Sequence, residues 1–153
     1  MRGPMSFKNA VRMTPGLEDA YRRGLQALRR TDRNRIRCGD ARHVCGSVNL
    51  DEALSGSHSQ ERRWDYGIGI PGSPGESVVW IEVHPASSKH VRDVLDKLSW
   101  LKGWLDSSAP RLRELPAKYV WVASGKVAIP RNSPQRRRLS ARGLRFAGRR
   151  YEL

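Results

Sequence analysis

The chain has 153 residues, 38% of them hydrophobic and 29% charged, with 29 basic against 15 acidic side chains and a formal net charge of +14. That length suits one domain with its own core, and no run nears the ~18 apolar residues of a membrane helix. Two cysteines, Cys38 and Cys45, are too few for a disulfide framework.

The charge sits at the ends. Residues 1–37 carry ten basic and three acidic side chains and residues 131–153 carry eight and one, whereas 38–130 carry eleven of each. The middle therefore reads as a neutral body between two basic segments. Of the 29 basic residues 23 are arginine, the side chain best shaped for bidentate phosphate contacts. Such an excess favours a polyanion, above all nucleic acid. The bland alternative is a solvated basic surface. The opening Met-Arg-Gly-Pro-Met-Ser-Phe-Lys lacks the apolar core of a secretion signal, so a cytoplasmic protein is expected. A homodimer is left open.

Residues 1–13 are basic and aperiodic and read as a flexible arm. Thr14-Pro15 reads as a helix start. Leu17, Ala20, Tyr21, Gly24, Leu25 and Leu28 then follow at helical spacing, with Glu18 at the edge of the stripe. Val44 to Leu50 reads as a strand, Leu50 to Leu54 as a helical turn, and Ser55 to Gln60 as a loop. Residues 88–106 form the clearest helix, with Val91, Val94, Leu95, Leu98, Leu101 and Leu105 in one stripe and a serine available as its cap. Trp100 and Trp104 read as part of its packing ridge. Tyr119 to Ala123 reads as a strand that resumes at Val127–Ile129. Pro134 opens a short helix, and Arg149–Leu153 reads as a last edge strand. The domain plan is thus a basic arm (1–13), a core (14–130) and an arginine-rich C-terminal segment (131–153) packed on or extending the core. The fold class is α/β (α+β), a small mixed central β-sheet flanked by helices.

The centre of interest is a predicted strand pair. In Arg63 to Ile70 the large apolar groups Trp64, Tyr66, Ile68 and Ile70 alternate with Asp65, Gly67 and Gly69. In Val78 to His84, the residues Val78, Trp80, Glu82 and His84 share one face. The proline- and glycine-rich stretch between them reads as a turn. If the apolar faces pair, Asp65 comes beside Glu82 and His84, next to two glycines expected to leave open space. Two carboxylates so placed suit Mg²⁺ or Mn²⁺, which take oxygen ligands and keep several waters. The third group could then orient or deprotonate a water. A structural reading is also open: Asp65 could pair with Arg62 or Arg63, and Glu82 with a buried arginine.

The order of a helix with a glutamate, a strand with Asp, a strand with Glu-x-Lys, a helix and a further strand resembles the PD-(D/E)XK nuclease superfamily. The matching pieces are Glu18, Asp65 in Trp-Asp-Tyr, and Glu82-Val-His84, within residues 14–129. The resemblance implies a restriction-endonuclease-like fold and metal-dependent hydrolysis of nucleic-acid phosphodiester bonds, with DNA ahead of RNA as the expected partner. It implies Asp65, Glu82 and His84 as catalytic residues, Asp65 and Glu82 as metal ligands and Glu18 as a supporting ligand. His84 stands where the family has lysine, and Lys89 is the lysine considered as its substitute. Arg136, Arg137, Arg138, Arg142 and Arg145 would contact the nucleic-acid backbone, which positions a strand without reading its sequence. The alternative is a catalytically inactive nucleic-acid-binding or accessory protein on the same fold. Cys38, His43, Cys45 and His58 do not follow the paired spacings of a structural zinc site. There is no Walker-type phosphate loop and no Gly-x-Ser-x-Gly.

Overall fold

A computed structural model describes residues 5–73 and 75–153. In chain order its elements are α1 (Phe7–Arg12), β1 (Arg22–Arg23), α2 (Arg30–Arg33), β2 (Ile36–Arg37), β3 (Gly46–Asn49), α3 (Leu50–Ala53), β4 (Tyr66–Ile70), β5 (Ser77–Ser87), α4 (Val91–Ser108), α5 (Pro110–Arg113), β6 (Ala117–Ala128), α6 (Pro134–Ala141), β7 (Leu144–Phe146) and β8 (Tyr151–Glu152). Six strands form one mixed sheet in the order β1-β3-β4-β5-β6-β7. β1, β3, β4 and β5 pair antiparallel, while β5, β6 and β7 run parallel. The parallel pairs need crossovers, and α4 and α6 supply them. A separate two-stranded parallel sheet joins β2 to β8. The architecture is α+β, as the sequence implied.

The sheet separates two cores. The larger holds Val78, Trp80, Trp121, Ala123 and Leu144 from the strands with Phe7, Ala10 and Val11 of α1 and the stripe Val91, Val94, Leu95, Leu98, Leu101, Trp104 and Leu105 of α4. The smaller holds Tyr66, Ile68, Val79, Ile81, Val120 and Val122 against Leu28, Ile36 and Tyr151. Alternation along β5 is thus the ordinary two-face pattern of a strand buried on both sides.

Several sequence expectations are corrected. Much of the expected arm is helix: α1 is capped by Ser6, whose side chain accepts the Asn9 N–H, and it buries Phe7, Ala10 and Val11. Residues 1–4 of that arm, and Pro74 of the expected turn, lie outside the described residues. The expected helix over 14–28 does not form. Thr14 closes α1 instead of opening a helix, its hydroxyl donating to the Ala10 carbonyl at 2.7 Å. Gly16 and Gly24 then adopt positive φ of 91° and 52°, which turns the chain back on itself. The apolar residues are still used, but Leu17 enters the larger core and Leu28 the smaller.

Trp64 departs from the Tyr66 face. β4 begins only at Tyr66, so Trp64 precedes the alternation and lies in the larger core. The expected open space beside the glycines is filled. A Cβ on Gly67 would stand 2.5 Å from the Trp80 ring, and one on Gly69 would stand 2.5 Å from the Phe7 ring. α4 starts at Val91 after a 3₁₀ turn, and no serine caps it; Ser87 Oγ meets His90 Nδ1 at 2.7 Å instead. The last strand, β8, leaves the main sheet and pairs with β2.

Candidate active site

β4 and β5 pair with Tyr66 opposite Ile81 and Gly67 opposite Trp80. Continuing that register sets Asp65 opposite Glu82, just beyond the last β4 ladder pair. There the two side chains take over from the ladder. The Asp65 N–H donates to Glu82 Oε1 at 3.2 Å, and the Val83 N–H donates to Asp65 Oδ2 at 2.9 Å. Each acid thus satisfies a backbone donor on or beside its partner.

A third group comes from α4. Lys97 Nζ donates to Glu82 Oε2 at 2.6 Å. His84 Nδ1 lies 3.3 Å from the same oxygen. Glu82 is 0% exposed, whereas the Lys97 and His84 side chains are 21% and 19% exposed. The cluster therefore runs from the core to the surface. The His84 ring also packs edge-on against His90 and Trp121, with centroids 5.3 and 6.5 Å away.

Burial dominates the electrostatics. It pushes the Asp65 carboxyl up to about 8, with the Glu82 charge as the next cause. It pushes Glu82 up to about 7 against the pull of Lys97. Burial also works against the Lys97 charge, but Glu82 and Asp65 outweigh it and hold the lysine above its ordinary value. His84 is lowered, first by burial and then by the Lys97 cation, so its ring is neutral at pH 7. A buried acid pair with one fixed cation and a neutral imidazole is an arrangement suited to proton transfer.

Asp65 Oδ1 meets no protein donor among the described residues, while Glu82 Oε1 accepts from Asp65 and Oε2 from Lys97, so a divalent cation that retains water ligands would have to share the Glu82 oxygens with those donors. Glu18 does not join them. It is exposed, and its Oε1 accepts the Gly16 N–H at 2.6 Å in the turn that replaces the expected helix. Nor does Lys89, which lies in the 3₁₀ turn before α4. Among the described residues no group of three or more His, Cys, Asp or Glu side chains has metal-ligand geometry. Cys38 donates to the Asp40 carbonyl, and His58 pairs with Glu61.

Lys97 is the residue that the sequence reading missed. Its signal was its phase: it stands three residues after Val94 and four before Leu101, both buried, so a lysine there must aim at the core edge. The structural pairing for Asp65 is not seen, since Arg62 turns to Asp93 and Asp96, and Arg63 to Asp51.

The five arginines expected to hold a backbone do not form one patch. On α6, Arg137 and Arg138 are exposed, while Arg136 lies 4.5 Å over the Phe146 ring and donates to the Ile129 carbonyl. Arg142 donates to Ser99 Oγ on α4 at 2.7 Å. Arg145 pairs in register with Val120, which belongs to the smaller core, so it stands on the opposite sheet face, 5.8 Å over the Tyr151 ring.

Comparison with protein-family models, with curated proteins and with solved structures gives no match. Among the described residues, no helix is long and apolar enough to cross a membrane.

Proposed function

We propose that this protein is a metal-dependent, nuclease-like hydrolase of nucleic-acid phosphodiester bonds, with a site built on Asp65, Glu82 and Lys97. The observation that carries the reading is the convergence of these three on one largely buried point, drawn from the residue before β4, from β5 and from α4. The restriction-endonuclease-like fold belongs to the same proposal. It is supported by an antiparallel β3-β4-β5 meander followed by α4 and a parallel β6.

Asp65 and Glu82 would hold Mg²⁺ or Mn²⁺, which when bound polarises a phosphate oxygen and acidifies a water. Lys97 supplies a permanent cation where charge develops on the phosphoryl oxygens. It takes the place that the family gives to the lysine of Glu-x-Lys, and so frees His84 for another role. With Nδ1 facing Glu82 and the ring neutral, His84 Nε2 is available to accept the proton of an attacking water. The water oxygen then bonds to phosphorus, the P–O bond to the leaving strand breaks, and solvent protonates the leaving oxygen.

The test is a cleavage time course on supercoiled plasmid, linear duplex, single-stranded DNA and RNA, with Mg²⁺, with Mn²⁺ and with EDTA, beside Glu82→Gln and Asp65→Asn. Metal-dependent cleavage lost in both variants supports the proposal. Binding without cleavage, equal in all three proteins, selects the silent nucleic-acid binder instead.

A further inference from the structure

The two basic ends of the chain meet. β2 and β8 pair with Ile36 opposite Tyr151, and the Tyr151 N–H donates to the Arg35 carbonyl at 2.9 Å. This lays Arg35 beside Arg149 and Arg150. With Thr31 and Asn34 they line a cavity of about 460 Å³ whose wall contains no carboxylate. Arg149 and Arg150 are exposed, and neither has an ion-pair partner among the described residues.

Arg35 differs from its neighbours in being fixed. β7 covers β6 only from Tyr119 to Trp121. The Ala147 N–H and the Gly148 carbonyl carry the pairing on to the Trp121 carbonyl and the Ala123 N–H, and from there Arg35 covers the edge, Nη1 donating to the Ala123 carbonyl at 3.2 Å and Nη2 to the Ser124 carbonyl at 2.8 Å. Its Nε–H is buried and has no partner among the described residues. A held guanidinium whose two Nη groups each keep a second N–H, two further guanidiniums, a hydroxyl and an amide are a donor set for phosphate oxygens. Three positive charges brought together without an acid also repel, and a polyanion relieves that repulsion. The cavity lies on the smaller-core side of the sheet, where β2 and β8 contribute Ile36 and Tyr151, whereas Glu82 and Lys97 meet on the α4 side.

We propose that Arg35, Arg149 and Arg150 form a phosphate-binding subsite that seats a backbone phosphate of a nucleic-acid strand, on the sheet face opposite the Asp65–Glu82–Lys97 site. Phosphate recognition by the three guanidiniums stands without the hydrolytic reading.

Arg35 also holds the β6 edge, so the test spares it and uses it as the reporter. The Arg35 Nε–H resonance is followed by NMR while a 16-base-pair duplex, and separately inorganic phosphate, is titrated into the wild type and into Arg149→Ala/Arg150→Ala. A second double variant, Arg111→Ala/Arg113→Ala on α5, removes the same charge elsewhere. The duplex is expected to shift the Arg35 signal in the wild type. The Arg149→Ala/Arg150→Ala variant is expected to flatten the salt dependence of duplex affinity by about 2 in log–log slope, near 0.9 for each phosphate no longer neutralised. The α5 variant is expected to leave that slope unchanged. An unshifted Arg35 signal, an unchanged slope, or an equal change in the α5 variant overturns the proposal, as does a shift with inorganic phosphate but not with duplex. Cleavage is scored separately: an inactive wild type with a responding Arg35 overturns the hydrolytic reading and supports the subsite.

Discussion

Asp65 should weaken the fold in the absence of metal, and the effect should depend on pH. Its carboxyl is ordinarily near 3.8 and is pushed up to about 8 in the fold, by burial and then by Glu82. The folded protein therefore keeps a proton that the unfolded chain releases, and this group's contribution to stability falls as pH rises from about 4 to about 8. At pH 7 about three pKa units of that window have been crossed, on the order of 4 kcal/mol at 1.36 kcal/mol per unit, and about 2–4 once water entry is allowed for. Asp65→Asn keeps an oxygen to accept the Val83 N–H but cannot ionise. Urea unfolding in EDTA, run from pH 4 to pH 8, should show the variant gaining about 2–4 kcal/mol over the wild type at the upper end and almost nothing at pH 4. A gain independent of pH, or a variant less stable at pH 8, would refute the reasoning.

Removing the Lys97 cation should act in the opposite sense. Lys97→Met leaves the wholly buried Glu82 without its partner, so at pH 8 the loss should reach about 3 kcal/mol and shrink below pH 6, as read by the same unfolding experiment. Gly69→Ala places a Cβ 2.5 Å from the Phe7 ring, and calorimetry should show a cost of about 1–3 kcal/mol that Phe7→Leu partly relieves. Ser133→Ala removes the side chain that accepts the Arg136 N–H at the start of α6, and should cost about 1 kcal/mol in chemical denaturation.

The sequence spoke most clearly where period and burial agree. The α4 stripe and the facing sides of β4 and β5 were both legible, because each apolar residue reports one face of one element. The approach of Asp65 to Glu82 followed from those faces, while the register itself came from the structure. The stretch over 14–28 misled for the same reason: its apolar residues keep helical spacing, yet two glycines turn the backbone and the residues go to different cores. Gly67 and Gly69 suggested clearance for a ligand, but aromatic rings from other elements fill it, which no local pattern records. Lys97 and Arg35 were hidden because their partners lie on other elements. Charge counts showed two basic ends but not that β2 and β8 bring them together.

The distances along the chain divide the molecule in two. Asp65, Glu82 and Lys97 are linked by contacts spanning 17 and 15 residues, within one hairpin and the helix that follows it. Arg35 reaches Ala123 and Ser124 across 88 and 89 residues. The acid–lysine cluster can therefore assemble as soon as its own hairpin and helix dock, whereas the arginine cavity exists only after both ends of the chain have closed over the sheet, the slower kind of contact to form. A chain caught partway through folding would hold the cluster before it holds the basic surface.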